Sequence, residues 1–126
     1  MWMENLTIKE TNRTPGVNFN FDGNIRLNGR SIPEDPGLFY TMLYAWVFQY
    51  CQHPALETQI YIEMEYMNSG SAKSILQILR ELSAVNTSDK KLTIYWYYEI
   101  GDEDMLEKGE YFQTILNHEF KFIETY

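Results

Sequence analysis

The sequence predicts an α/β (α+β) fold: a mixed sheet of five to six strands with about three helices, mainly on one face. Several short segments alternate apolar and polar residues, as strands with one covered face do. Other segments repeat apolar residues at steps of three and four, as amphipathic helices do. In the second half of the chain these patterns come in the order strand, helix, strand, which is typical of a right-handed parallel crossover.

The composition limits the size of the fold and the classes of partner. With 126 residues, of which 44% are apolar, the chain suits one hydrophobic core, and we expect a single domain from near Met3 to near Tyr126. Ten Lys and Arg against eighteen Asp and Glu give a net charge of -8, which argues against nucleic acid and anionic lipid as partners. The N-terminus has no signal-peptide pattern, so we expect a cytoplasmic chain.

The first strands are expected before residue 30. A short strand is predicted around Leu6 to Ile8. Apolar residues then alternate around Asp22-Gly23 and before Asn28-Gly29, which predicts a β-hairpin with turns at the glycines. The alternating residues are Val17, Phe19, Phe21, Ile25 and Leu27.

The first helix is predicted to start at Asp35-Pro36, since Asp caps free N–H groups and Pro fits the first helical position. Its core stripe is expected to contain Phe39, Met42, Leu43, Trp46, Val47 and Tyr50. A second row, away from the centre of that stripe, contains Tyr40, Tyr44 and Phe48. Such a row is more often core than interface, and we keep it as a secondary hypothesis for a partner interface. The stretch from Pro36 to Leu56 has no formal charge, yet its polar residues make it a poor membrane span.

The second half alternates between strand and helix patterns. Thr58 to Met67 predicts a strand, with one side formed by Ile60, Ile62, Met64 and Tyr66 and the other by Tyr61, Glu63 and Glu65. From Ser71 a helix is predicted with one face formed by Ala72, Ile75, Leu76, Leu79 and Leu82. Lys91 to Tyr98 predicts the next strand, the acidic run from Asp102 to Asp104 opens a third helix, and Phe120 to Ile123 closes the sheet.

The segment Asn68-Ser69-Gly70-Ser71-Ala72-Lys73 lies where a strand gives way to a helix. One of its serine hydroxyls, exposed at the helix N-terminus, would be a favourable position for a phosphoryl group because free N–H groups and the helix dipole both attract anions. The commoner role for such a serine is plain N-capping by Ser69 or Ser71. The local pattern alone therefore favours capping.

The other polar residues give no catalytic or metal-ligand pattern. Glu63 and Glu65 are interpreted as the solvated side of a strand, and Asp102, Asp104 and Glu107 as helix-start charge without the spacing of a calcium loop. The histidines, His53 and His118, stand in no ligand or nucleophile spacing, and Cys51 is interpreted as an inert buried thiol. We expect no cofactor, no bound metal and no enzymatic activity.

Four ordered blocks that span nearly the whole chain resemble the SiaC family of bacterial regulatory phosphoproteins, whose domains are similar to STAS-type antagonists of anti-sigma factors. The blocks are Thr14-Pro15; Gly29-Arg30-Ser31-Ile32-Pro33-Glu34 with Phe39-Tyr40 and Trp46; Glu65-Tyr66-Met67-Asn68-Ser69-Gly70-Ser71-Ala72-Lys73; and Trp96-Tyr97-Tyr98 leading to Asp102-Glu103-Asp104-Met105-Leu106-Glu107-Lys108-Gly109-Glu110.

The resemblance implies a partner switch. A protein kinase phosphorylates one hydroxyl, a metal-dependent phosphatase removes the phosphate, and one of the two forms binds a downstream target such as a diguanylate cyclase, which links the switch to cyclic di-GMP and biofilm signalling. The position that matches the family's acceptor is Ser69, and Ser71 is the competing acceptor. The sequence departs from the family pattern in having Ser69 where threonine is usual and Gly70 where serine is usual.

Two other interpretations belong to different classes. One is an acidic small-ligand- or metal-binding domain, or an enzyme, that uses the surface of Glu63, Glu65 and the run from Asp102 to Asp104. The other is constitutive self-association through Tyr40, Tyr44 and Phe48. For the switch protein itself we expect a monomer or a weak homo-oligomer.

Overall fold

The structure is a computed structural model that describes residues 4–126, in which nine regular elements are defined. The strands are β1 (Leu6–Ile8), β2 (Gly16–Phe19), β3 (Asn24–Ser31), β4 (Glu57–Met67), β5 (Lys91–Glu99) and β6 (Phe120–Thr125). The helices are α1 (Pro36–Tyr50), α2 (Ser69–Ser83) and α3 (Glu103–Leu116). No helix within the described range is long and apolar enough to cross a membrane.

The strands form one mixed sheet in the order β1-β2-β3-β4-β5-β6. The first three strands pair antiparallel, and β3, β4, β5 and β6 pair parallel. Each parallel connection contains one helix, as parallel neighbours require. The predicted fold class, a mixed sheet with three helices, is confirmed.

One hydrophobic cluster joins the sheet to all three helices. Trp46 of α1, Leu79 of α2 and Phe112 of α3 belong to this cluster together with Trp96 of β5. Trp96 is fully buried, and its indole N–H donates to the Met105 carbonyl at 2.9 Å. The helices therefore share one core on one side of the sheet, and the starts of α1, α2 and α3 follow the carboxyl ends of β3, β4 and β5.

The two glycine turns predicted in the N-terminal region have different outcomes. Gly23 lies in the turn between β2 and β3 with a φ of 105°, as predicted. The predicted turn at Gly29 is wrong, because β3 continues to Ser31. Gly29, whose φ is 101°, marks an irregularity in the pairing with β4. The left-handed conformation favours glycine at this position too, which is why a bulge and a turn look alike in sequence.

That irregularity also corrects the predicted pattern of β4. Gly29 pairs with Met64 and Arg30 pairs with Tyr66, so Glu65 is the extra residue of the strand. After one extra residue the alternation changes sides. Tyr66, predicted on the buried side, is 49% exposed, and Met67 takes its place in the core.

The orientation of α1 also differs from the expectation. Met42, predicted in the core stripe, is 50% exposed, whereas Tyr40, predicted in the second row, is 3% exposed. The helix packs against α2 and also against the sheet, where the ring of Trp46 lies 5.3 Å from that of Phe19. The buried surface of α1 is therefore turned towards α2. This surface includes Tyr40 and leaves out Met42.

Candidate functional site: the first turn of α2

The helix after β4 starts two residues earlier than predicted. Its first residue is Ser69 and its N-cap is Asn68, whose side-chain Oδ1 accepts from the Ser71 backbone N–H at 2.9 Å. Asn is among the best capping residues because its short side chain reaches the free N–H groups of the first turn. The interpretation in which Ser69 or Ser71 caps the helix is therefore wrong. Neither hydroxyl is needed for that role.

Ser69 has an exposed side chain at the positive end of the helix dipole. Its hydroxyl makes no hydrogen bond to another residue in the 4–126 range. The first turn of α2 contains no acidic residue, and the backbone N–H groups of Ser69 and Gly70 precede the first intrahelical hydrogen bond. The position thus combines an accessible hydroxyl with free donors for an anion.

Ser71 has a different environment, although it is only two residues further on. It is fully buried, and the Ser31 hydroxyl donates to its Oγ at 2.7 Å. Ser31 is also fully buried and hydrogen-bonds the Tyr40 hydroxyl at 2.7 Å. We call Ser71, Ser31 and Tyr40 the hydroxyl chain, which ties α2 to β3 and α1. The Ser71 hydroxyl becomes accessible only if this contact opens.

Tyr40 is a neutral member of the hydroxyl chain. Burial raises the pKa of its phenol to about 12, and hydrogen bonding with Ser31 and Ser71 lowers the pKa without cancelling this effect. The phenol therefore stays protonated near neutral pH and is available as a donor.

Gly70 and Lys73 complete the segment. A Cβ atom at Gly70 would lie 2.9 Å from Cγ of Pro36, the first residue of α1, so the absence of a side chain lets the two helix starts approach closely. Lys73 is exposed and lies one turn after Ser69 on the same helix. At that spacing its ammonium group faces the same side of the helix as Ser69.

The row Tyr40, Tyr44 and Phe48 does not form one exposed surface. Tyr40 is buried in the hydroxyl chain, so its assignment to an exposed interface is wrong. Tyr44 is half-buried, and its hydroxyl donates to Glu81 of α2 at 3.5 Å. Phe48 is 53% exposed, and the part of Tyr44 that stays accessible lines a groove between α1 and α2.

Glu63 and Glu65, which the alternative interpretation assigns to a ligand-binding surface, have basic partners. Arg26 Nη1 lies 3.3 Å from Glu63, and Arg30 Nη1 lies 3.5 Å from Glu65. Both arginines are on β3, next to β4 in the sheet but more than thirty positions away in sequence. Sequence reasoning missed these pairs for that reason.

The remaining polar candidates have structural contacts. Asp102 is the N-cap of α3, and its Oδ1 accepts from the Met105 N–H at 3.1 Å. Across residues 4–126, no three His, Cys, Asp or Glu side chains lie together in a way that would hold a metal ion. Cys51 is half-buried, and burial followed by the charge of Glu81 raises the pKa of its thiol to about 11, which disfavours the nucleophilic thiolate.

A family model described as SiaC family regulatory phosphoprotein matches residues 8–125, which is nearly the whole chain. The chain belongs to the SiaC family. The resemblance noted from the four sequence blocks is thereby confirmed. An uncharacterised protein from Pseudomonas aeruginosa strain UCBPP-PA14 is 23% identical over 112 residues, which cover 88% of this chain and 89% of that protein.

Solved structures of SiaC from Pseudomonas aeruginosa have the same fold. The apo form has a TM-score of 0.82 at 22% identity and covers 98% of this chain and 100% of its own. A crystal structure of the diguanylate cyclase SiaD in complex with its activator SiaC matches with a TM-score of 0.85 at 22% identity, covering 94% of this chain and 98% of that chain. Family membership makes this chain a regulatory phosphoprotein, whereas the structural likeness at this identity concerns the fold alone.

Proposed function

We propose that this SiaC-family chain is a non-catalytic switch protein whose partner binding is controlled by phosphorylation of Ser69. A protein kinase adds the phosphate and a metal-dependent phosphatase removes it. The observation that carries the proposal is the contrast between two serines of one helical turn: Ser69 is exposed, whereas Ser71 is fully buried in the hydroxyl chain.

The first turn of α2 is a favourable position for the phosphate. A phosphoserine carries roughly -1.5 to -2 charge at neutral pH. At a helix N-terminus a negative charge is stabilised by about 0.3–1 kcal/mol, and the first turn of α2 has no acidic residue of its own. Lys73, one turn further on, supplies a cation on the same side. Phosphorylation would therefore change the surface charge without unfolding the helix.

The downstream target we propose is a diguanylate cyclase. Support comes from the Pseudomonas aeruginosa complex, in which a SiaC with the same fold is bound to the cyclase SiaD as its activator. Phosphorylation of this chain would then regulate the synthesis of cyclic di-GMP by the cyclase. The chain itself would act by binding the cyclase, which requires only an exposed modification site and a stable fold.

The proposal is tested with Ser69→Ala, which cannot be phosphorylated, and Ser69→Asp, which carries a permanent charge. Binding of each to the diguanylate cyclase of the same host is measured by isothermal titration calorimetry. We expect the two Kd values to differ at least about tenfold, which corresponds to about 1.4 kcal/mol. Ser88→Asp, a charge at an exposed loop serine, is the matched control and should bind like the wild type. Equal affinities for the two Ser69 variants would contradict the proposal.

A further inference from the structure

Ser31, the last residue of β3, holds the turn that carries Ser69 at two points. Its backbone carbonyl accepts from the Asn68 N–H at 3.0 Å, and its hydroxyl donates to Ser71 Oγ at 2.7 Å. Asn68 and Ser71 also bond each other, through the Asn68 side chain. The turn is therefore fixed at both ends, and only Ser69 and Gly70 lie between the fixed residues.

The geometry of the hydroxyl chain defines the order of its protons. A serine hydroxyl has one proton to donate, and Ser31 donates it to Ser71. The Tyr40 phenol, 2.7 Å from the Ser31 hydroxyl, is therefore the donor to Ser31. The Ser71 oxygen thus lies at the end of a series of two donors. It is both fully buried and engaged as an acceptor.

Ser31 and Tyr40 come from a part of the chain that the proposed function does not otherwise use. Both belong to the second sequence block, whereas Ser71 belongs to the third, forty positions after Ser31. Ser31 is 0% exposed and Tyr40 is 3% exposed. Almost nothing of either side chain reaches the surface, so an effect of these two residues on phosphorylation has to act through Ser71.

We propose that Ser31 and Tyr40 determine which serine in the first turn of α2 accepts the phosphate. They are positioning residues: they keep Ser71 in the core and leave Ser69 as the accessible hydroxyl of the turn. The inference rests on the proposed function, because it concerns the regulation of the same site.

The reaction itself is the same for either serine. The serine oxygen attacks the γ-phosphorus of a nucleoside triphosphate held by the kinase and forms an O–P bond, while the bond from that phosphorus to the bridging oxygen breaks. The hydroxyl proton passes to a base of the kinase, and the nucleoside diphosphate leaves. The difference between Ser69 and Ser71 is therefore one of access.

Phosphorylation of Ser71 requires the turn to open locally. When opening and closing are fast relative to the reaction, the rate follows the population of the open state. Removing one partner of a buried hydroxyl destabilises the closed turn, because water satisfies the remaining group only after opening. The usual cost of such an unsatisfied group corresponds to an open state that is about five- to 150-fold more populated.

Tyr50, on the same helix as Tyr40, provides a matched control. It is 1% exposed, and its phenol hydrogen-bonds Thr58 Oγ1 at 2.6 Å and accepts from the Ala55 N–H at 3.2 Å. Thr58 is the second residue of β4, whereas Ser71 follows the other end of that strand. Tyr50→Phe and Tyr40→Phe thus remove the same atom from the same helix at similar burial, but only Tyr40 belongs to the hydroxyl chain.

The test uses the full chain, expressed in its host and purified with phosphatases inhibited. The variants are Ser31→Ala, Tyr40→Phe and Tyr50→Phe, each with and without Ser69→Ala. Ser31→Ala removes the hydroxyl and keeps the backbone carbonyl that holds the start of α2. Phosphopeptide mapping resolves Ser69 from Ser71. Hydrogen exchange of the Ser71 N–H measures the opening of the turn without a kinase.

We expect Ser31→Ala and Tyr40→Phe each to raise the phosphate on Ser71 about tenfold over the wild type, and to speed the exchange of the Ser71 N–H by a similar factor. Tyr50→Phe should leave both quantities near their wild-type values. Together with Ser69→Ala, the first two substitutions should give phosphate on Ser71, where Ser69→Ala alone gives none.

Phosphate that stays on Ser69 alone in both Ser31→Ala and Tyr40→Phe would overturn the inference and leave the Ser69 proposal standing. Unchanged exchange of the Ser71 N–H in both variants would overturn it as well. An equal rise on Ser71 in Tyr50→Phe would assign the change to a general loss of stability and would also overturn it. A wild-type chain without phosphate on Ser69 would instead overturn the proposed function.

Discussion

The first turns of α2 and α3 follow neighbouring parallel strands, β4 and β5, and are capped in the same way. The cap of α2 is Asn68, with a 2.9 Å bond to the N–H three residues on. The cap of α3 is Asp102, with a corresponding bond of 3.1 Å. Their charges differ, because α3 has Glu103 and Asp104 in its first turn and α2 has no acid there.

Under the proposed function, this difference would let one fold carry a permanent charge at one helix start and a reversible charge at the other. At α3 the helix dipole is already matched by fixed carboxylates. At α2 the equivalent position holds Ser69, a hydroxyl that becomes negative only when it is phosphorylated. If α2 has the geometry of α3 without its charge, substitutions at the two helix starts should agree where capping matters and differ where charge matters.

The largest expected effect separates the two serines of α2. Ser71→Asp places a carboxylate in the fully buried hydroxyl chain and should lower the free energy of unfolding by about 3–5 kcal/mol, the usual cost of an uncompensated buried charge. Urea denaturation measures this change. Ser69→Asp is the control, and an equal loss of stability in both variants would contradict the assignment of one exposed and one buried serine.

The hydroxyl chain holds the start of α2 and does not involve α3. The variant Tyr40→Phe tests its contribution to stability. Removing the phenol hydroxyl leaves Ser31 with one partner fewer and should cost about 1–3 kcal/mol of unfolding free energy. The pKa of Tyr40 is raised from 10.0 to about 12 in the folded state, so between these values the unfolded state binds fewer protons. Stability should therefore fall as the pH rises from 10 to 12, and it should fall less steeply in Tyr40→Phe.

The shared capping geometry predicts similar losses at both helix starts. Asn68→Ala and Asp102→Ala should each reduce the free energy of unfolding by about 1 kcal/mol, because each removes the acceptor of one N–H group. Thermal melting of the two variants measures the losses. Ser88→Ala, at an exposed loop residue, serves as the neutral reference. Asn86→Ala would not serve, because the Asn86 side chain accepts a hydrogen bond from the Leu92 N–H. A loss at Asp102 with none at Asn68 would contradict the likeness of the two caps.

The smallest effect is the charge on α2 itself. Ser69→Asp should raise the free energy of unfolding by about 0.3–1 kcal/mol at low ionic strength, since it gives α2 the first-turn charge that α3 already has. The gain should shrink at high salt. Urea denaturation of Ser69→Asp and Ser69→Asn at both salt concentrations separates charge from side-chain size. Equal free energies of unfolding for Ser69→Asp and Ser69→Asn at low salt would mean that the helix dipole does not stabilise a negative charge at position 69.

Local signals in the sequence were sufficient for most of the elements. The cap signal Asp35-Pro36 and the acidic run from Asp102 to Asp104 predict the starts of two helices, because capping and the helix dipole both act on residues a few positions apart. Alternation gave the central strands for the same reason. The predicted start of α2 is two residues late, because Asn68, Ser69 and Ser71 are capping signals of similar strength and the local sequence does not distinguish them.

The errors arose where the deciding neighbour is distant in sequence. The extra residue Glu65 in β4 is defined only by its pairing with β3, and it moved Tyr66 out of the core. Helix α1 has no charged residue to mark its solvent side, so its periodicity did not distinguish Tyr40 from Met42. The burial of Ser71 depends on Ser31, forty positions earlier.

Phosphopeptide mapping of the chain purified from its host, with phosphatases inhibited, tests the central claim most directly. We expect phosphate on Ser69, and we expect Ser69→Ala to abolish this phosphorylation although Ser71 is intact. Phosphate found on Ser71 and never on Ser69 would contradict the account, because it would mean that the buried hydroxyl, and not the exposed one, is the acceptor.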